Sequence, residues 1–230
     1  MAEQTAVIVG AGSGLSAAVS RHLAARGYDL VLAARDIGKL SDLAAETGAR
    51  CVAVDGSEPD QMARAFQDLP SPLKVALYNP SARTRGPVTD LDPETVRKSI
   101  EVTAFGSFLM GQQAARLMLE NDGARKGTIL FTGASAGVKG FAQSATFAMG
   151  KFAQRGLAQS MARELHPKGI HVAWVNIDGA ISNEANGGAD NGTNAKLDPD
   201  AIALSYMHLI DQHRSAWSSE LTLRPWVETF

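Results

Sequence analysis

The chain has a single cysteine, Cys51, in 230 residues, so no disulfide can form within it. Its setting, C-V-A-V, predicts a buried strand residue rather than a reactive thiol. An excess of charge is missing too. Lys and Arg total 22 against 24 Asp and Glu, and the pI is near 6.2. That balance gives no electrostatic case for nucleic acid or an anionic membrane as partner. No run approaches the roughly 18 apolar residues of a membrane span. The start M-A-E-Q-T lacks the basic and apolar regions of a secretory leader. Together these absences point to the cytoplasm. His22, His166, His171, His208 and His213 show no metal-ligand spacing, and structural roles are expected for all five. There is no phosphate-loop lysine motif and no internal repeat.

What is present is an ordinary globular composition, 45% hydrophobic and 20% charged, and one informative stretch from Thr5 to Ser16, T-A-V-I-V-G-A-G-S-G-L-S. Residues 6–9 are short, apolar and β-branched, as a buried parallel strand requires. Gly10, Gly12 and Gly14 follow, then an apolar-periodic run (Leu15, Ala18, Val19, Leu23) that predicts a helix. A strand, a glycine-rich turn and a helix N-terminus make a site for a dinucleotide. Glycines let backbone N–H groups approach the pyrophosphate, and the positive end of the helix dipole faces it. An ordinary glycine-containing strand–helix turn is the alternative.

The remaining chain alternates in the same way. Strands are expected at 28–33, 50–54, 74–78, 128–132, 170–177 and 216–223. Helices are expected at 37–48, 58–68, 93 to about 120, 144–165 and 198–211. Such alternation implies a parallel sheet covered on both faces, with ligand at the carboxyl ends of the strands. The expected fold class is therefore α/β, a single-domain doubly wound Rossmann-like sheet of about seven strands spanning residues 1–230. Gly10 to Gly14, Arg35, Asp55, Asn79, Ser135 and Asp178 all fall at the carboxyl ends. Residues 182–197, rich in Asn, Gly and Ala, are expected to be a flexible segment over the substrate site.

The glycine spacing, Gly10-x-x-x-Gly14-x-Ser16, resembles the T-G-x-x-x-G-x-G loop of the short-chain dehydrogenase/reductase family, with Val9 in place of Thr and Ser16 in place of the last Gly. The resemblance extends over essentially the full length. It implies a cofactor site built from Gly10, Gly12, Ser13, Gly14 and Leu15, from Arg35 at the end of the second strand, and from Asp55, Asn79, Lys151, Gly179 and Ile181. Where NAD-preferring members usually carry an acid this chain has Ala34, followed by Arg35. A guanidinium suits a 2′-phosphate, so NADP(H) is expected over NAD(H), although Arg35 also reads as a solvated loop charge. Asp55 reads equally as an adenine contact or as a cap of the following turn. Asn79-Pro80-Ser81-Ala82 stands where the family has N-N-A-G, and Asn79 alone matches. Asp178-Gly179 replaces the usual Pro-Gly.

The family's chemistry implies a Tyr acid/base, a Lys four residues later, a Ser and often a helix Asn. Of these four only Lys151 remains. Phe147 stands at the Tyr position, Ala134 at the Ser position with Ser135 one residue late, and Thr103 at the Asn position. Lys151 and Ser135 are the expected catalytic groups. Thr132, Ser144 and Thr146 are further hydroxyls that could substitute, and a solvated helix lysine is the bland reading of Lys151. The resemblance thus implies an NADP(H)-dependent oxidoreductase moving hydride to or from a carbonyl or enoyl substrate, or, without the Tyr, a catalytically silent NADP(H)-binding protein on the same fold. Helices at 93–120 and 144–165 match those by which family members pair into dimers and tetramers. Ala148, Gly150, Ala153 and Gly156 would permit close approach, so a homo-oligomer is expected.

Overall fold

A computed structural model describes residues 4–182 and 192–228. Seven short apolar segments form one parallel sheet: β1 Thr5–Val9, β2 Asp29–Ala34, β3 Arg50–Ala53, β4 Leu73–Tyr78, β5 Gly127–Thr132, β6 Ile170–Ile177 and β7 Glu220–Leu223. Their order is β3-β2-β1-β4-β5-β6-β7, with every pair parallel. Strands β1, β5 and β6 are buried along their whole length because helices cover both faces. On one face α1 (Leu15–Ala25) and α7 (Pro199–Asp211) pack with Ile8, Leu32 and Leu77. On the other, α5 (Gly106–Leu119) and α6 (Ala145–Leu165) pack with Val7, Phe131 and Trp174. Side chains alternate across each strand, so continuous apolar runs fill both cores.

Several boundaries move for local reasons. The helix expected at 37–48 is a 3-10 turn, Ile37–Leu40, capped by the Asp36 carboxylate accepting from Gly38 N–H, followed by α2 (Ser41–Thr47). The helix expected at 58–68 is α3, Pro59–Ala65. The long helix starts as expected, with Asp92 Oδ2 accepting from Thr95 N–H at 2.8 Å and Pro93 in the first turn. It is not continuous, however. Between α4 (Pro93–Ile100) and α5 one π-helical turn, Glu101–Phe105, inserts. The buried Tyr78 hydroxyl donates to the Val102 carbonyl in that turn, and the Thr103 hydroxyl accepts from Ala82 N–H at 3.0 Å. The last strand is shorter than expected, since Arg214–Ala216 form a 3-10 turn. Cys51 is half-buried rather than buried, because β3 is the edge of the sheet; partial burial raises its thiol pKa.

The sheet order reverses direction between β1 and β4, and a crevice opens there at the carboxyl ends of the strands. The ends of the segment expected to be flexible are held in place. Ser182 N–H donates to the Leu197 carbonyl at 2.8 Å, and Leu197 N–H to the Ala180 carbonyl at 2.9 Å. Residues 183–191 lie outside the described residues.

Three of the histidines are engaged within the fold. His171 is fully buried in β6, its ring nitrogens 3.1 Å from the Leu209 carbonyl and 2.8 Å from the Ser218 carbonyl, only one of which a neutral ring can bond, and its plane stacked on Trp217. His166 Nε2 accepts from Val172 N–H, and His22 faces Asp200 across the α1–α7 contact. Among the described residues no group of His, Cys, Asp and Glu is placed to hold a metal ion.

Candidate functional site

Two cavities open along the crevice. The first, of about 450 Å³, lies beyond the ends of β1 and β2 and is lined by Gly10, Gly12, Ser13, Arg35, Lys39 and Asp55, among others. Gly10 is held at φ +80°, and a Cβ there would come within 2.7 Å of the Pro80 ring, so the loop closes only with glycine. A Cβ added to Gly12, by contrast, meets no atom within 4 Å. That open space beside bare backbone is what a ligand of extended shape needs. Ser16 explains its own departure from the glycine motif. Its hydroxyl accepts from Gly12 N–H at 2.9 Å and sits 3.3 Å from the Gly12 carbonyl, bracing the turn from within.

Arg35 and Asp55 line this cavity together. Asp55 Oδ1 accepts from the backbone N–H (3.0 Å) and hydroxyl (2.7 Å) of Ser57, which, with a smaller contribution from Arg35, hold its carboxyl below the ordinary range. Asp55 thus caps the following turn and lines the cavity at once. Asn79 Nδ2 donates to the Gly10 carbonyl at 3.3 Å, tying the ends of β1 and β4. Gly14 and Leu15 are not brought to the cavity wall. The Leu15 side chain is buried in the core, because the first turn of α1 faces the sheet.

The second cavity, of about 770 Å³, lies beyond β4, β5 and β6, and Ser81 borders both. Its wall includes Asn79, Ser135, Phe147, Lys151, Gly179 and Ile181. Lys151 is 2% exposed; its ammonium donates to the Thr132 carbonyl (2.6 Å) and to Gln154 Oε1 (3.3 Å), and lies 6.0 Å from the centre of the Phe147 ring. Without a carboxylate beside it, burial lowers its pKa to about 7. Lys151 is therefore no solvated helix lysine. Gln154, which sequence reasoning missed, bridges it to the rest of the core: Oε1 also accepts from the Trp174 indole, and Nε2 donates to Ser107. Its spacing of three residues after Lys151 on a helix was the available signal.

Asp178, recognised in the sequence only as a strand end and as the replacement of a usual Pro, lines this wall. Ser135 Oγ donates to its Oδ1 at 2.5 Å, and Arg224 pairs with its Oδ2 at 2.8 Å. Asp178 N–H donates to the Leu223 carbonyl at 2.8 Å and Gly179 lies against Pro225, so both residues of the Asp-Gly pair are held by the last strand and the segment after it. Of the other hydroxyls, Thr132 bonds the buried Tyr206, Thr146 bonds the backbone of Thr84, and Ser144 is the residue before α6 and faces Arg83. Thr103 is turned to Ala82 and away from the cavity wall.

An open parallel α/β sheet with a glycine turn at its switch point and a lysine-bearing cleft beside it defines the dinucleotide-binding class of folds. A family model described as short chain dehydrogenase matches residues 4–187, and the chain belongs to that family. An uncharacterized oxidoreductase of Staphylococcus epidermidis is 25% identical over 228 residues, covering 97% of each chain. The uncharacterized oxidoreductase YmfI of Bacillus subtilis is 28% identical over 180 residues, 75% of this chain and 73% of its own. Among solved structures, a short-chain dehydrogenase from Rhodopseudomonas palustris is 34% identical with a TM-score of 0.83, covering 97% of this chain and 99% of its own. A metagenomic short-chain oxidoreductase in complex with NADP is 26% identical with a TM-score of 0.83, covering 98% of both.

Proposed function

We propose that this chain is an NADP(H)-dependent oxidoreductase that moves hydride to or from a carbonyl or enoyl carbon of a small substrate. The observation that carries the reading is the pair of cavities meeting at Ser81, one walled by the glycine loop and Arg35, the other by Lys151 and Ser135. The open face of Gly12 and the cation at Arg35 suit a dinucleotide bearing a 2′-phosphate, and the NADP held by the metagenomic relative supports that choice. Bound there, the cofactor supplies or accepts the hydride.

The chain's own residues do the rest. Two of the three ammonium hydrogens of Lys151 are engaged, by Thr132 and Gln154, which leaves one for a ribose hydroxyl. With its pKa near 7, the same ammonium can give up a proton at neutral pH, a task phenyl cannot perform. Ser135 spends its hydrogen on Asp178, so its oxygen offers lone pairs to the cleft and suits a substrate hydroxyl as acceptor. An enoyl substrate asks less of the site, since hydride addition first yields an enolate that a fixed donor stabilises.

The reading includes a homo-oligomer. Phe105 and Phe108 stack at 6.2 Å on the outside of the π turn and α5, and Met149 and Phe152 stand half-exposed on α6. Ala153 and Gly156 share that outer side, whereas Gly150 faces inward, where a Cβ would lie 2.8 Å from Thr103. Gly150 therefore serves the π turn of its own chain, not a second copy. A cytoplasmic location also belongs to the reading, the lone cysteine being suited to a reducing compartment.

The substitutions Phe147, Ala134 and Thr103 favour a second reading, an NADP(H)-binding protein that has lost turnover. A fluorescence titration of NADPH against NADH tests what the two share. Tight NADPH and weak NADH binding supports them, equal binding removes the 2′-phosphate argument, and no binding of either nucleotide overturns both. Turnover of any carbonyl or enoyl substrate separates the first reading from the second.

A further inference from the structure

The loop Ser81–Gly86, S-A-R-T-R-G, leads from β4 toward α4 and carries Arg83 and Arg85 to the wall of the larger cavity. Loops of this kind ordinarily hang by their ends, but this one is bonded along its length. Ala82 N–H donates to Thr103 Oγ1 (3.0 Å), Thr84 N–H to Thr146 Oγ1 (3.2 Å) and Gly86 N–H to the Gln143 carbonyl (3.2 Å). Thr146 Oγ1 returns its own hydrogen to the Thr84 carbonyl at 2.9 Å. Arg83 is directed further. Its guanidinium carbon lies 5.2 Å from the centre of the Phe147 ring, and Nη2 reaches the buried Ser144 hydroxyl at 3.4 Å. Arg83 and Lys151 thus both stand over the Phe147 ring, 5.2 and 6.0 Å from its centre, on the wall of the larger cavity.

Lys139 completes the cationic wall from the segment after β5. None of Arg83, Arg85 and Lys139 is ion-paired with a carboxylate of a described residue. Two carboxylates line the same cavity. Asp178 is already bonded by Ser135 and Arg224, and Glu228 stands near the end of the chain. Three cations without acidic partners among the described residues, two of them on a braced loop, make a surface that an anion would satisfy through charge-assisted, bidentate hydrogen bonds. Resting on the oxidoreductase reading above, we infer that the substrate carries an oxyanion group, carboxylate or phosphate, held by Arg83 with Arg85 and Lys139 beside it. Phe147 is then the platform that seats Arg83, not merely a lost tyrosine.

The test is calorimetric titration of the full chain with succinate, dimethyl succinate and inorganic phosphate, with and without saturating NADP⁺. Saturation keeps phosphate out of the nucleotide site. Succinate or phosphate is expected to bind and the uncharged diester not; which anion binds better assigns the group. Arg83→Ala is expected to weaken that binding about tenfold or more, and Arg83→Lys to recover part of it. The anchors through Ala82, Thr84 and Gly86 remain in Arg83→Ala, so it should stay folded with a midpoint lowered only modestly by the lost contacts to Ser144 and Phe147. Equal affinity for succinate and its diester, an unchanged affinity in Arg83→Ala, or no binding of any probe overturns the inference. Failure of NADP⁺ to bind would count against the cofactor reading alone, because the Arg83 dependence is still read on the nucleotide-free protein.

Discussion

The Ser135 hydroxyl donates to the Asp178 carboxylate at 2.5 Å, and that carboxylate is held from its other oxygen by Arg224. A serine one residue out of register and an aspartate in place of a proline are therefore one unit, and neither departure makes sense without the other. Asp178→Ala would free the Ser135 hydrogen and remove one carboxylate from a half-buried guanidinium. A loss of about 1–3 kcal/mol in chemical denaturation is expected, larger than for Ser135→Ala.

Phe147→Tyr would place a phenol within reach of Lys151. If the pocket is otherwise competent, carbonyl reduction followed by nicotinamide absorbance should rise about a hundredfold or more. An unchanged rate across a broad carbonyl panel would favour the silent binding protein. The same change keeps the ring under Arg83, so anion binding is expected to persist.

Arg35→Ala tests the choice of nucleotide. Loss of a charge-assisted contact to a phosphate should weaken NADPH binding about tenfold or more while leaving NADH nearly unmoved. A parallel fall in both affinities would mean that Arg35 supports the loop rather than the phosphate.

His171 gives stability a defined pH dependence. Burial lowers its pKa from 6.5 to about 4 in the folded protein, against two backbone carbonyls that favour the charged form and with the neighbouring His166 and Arg125 opposing it. The unfolded chain then binds more protons between pH 6.5 and 4, so this residue withdraws stability as pH falls through that window. Denaturation midpoints measured across it should fall less steeply in His171→Gln than in the parent.

Gly10→Ala forces an alanine to φ +80° and sets its methyl 2.7 Å from the Pro80 ring. A destabilisation of at least about 2 kcal/mol is expected, with loss of nucleotide binding. Gly12→Ala makes the useful contrast. Its Cβ meets nothing in the protein, so nucleotide affinity should suffer much more than stability.

Much of this molecule was legible in its sequence because the signals were local. The run Ala6–Val9, the glycines after it and the cap at Asp92 depend on neighbours a few residues away, and six further strands followed from period and punctuation. The fold class and the placing of Arg35 and Ser135 at strand ends rest on such signals, whereas Lys151 was singled out only by the family resemblance. Tertiary structure alone decided the rest. The π turn arises where Tyr78 and Ala82, both near the end of β4, meet a helix some twenty residues later. Leu15 turned inward because α1 lies against the sheet, and Gly150 because α6 meets the π turn. Asp178 acquired its partners from Ser135 and Arg224, and Arg83 found its seat on a phenyl sixty-odd residues away. Spacing along a chain encodes helix faces and strand sides, but contacts between elements form only when the sheet order brings their ends together.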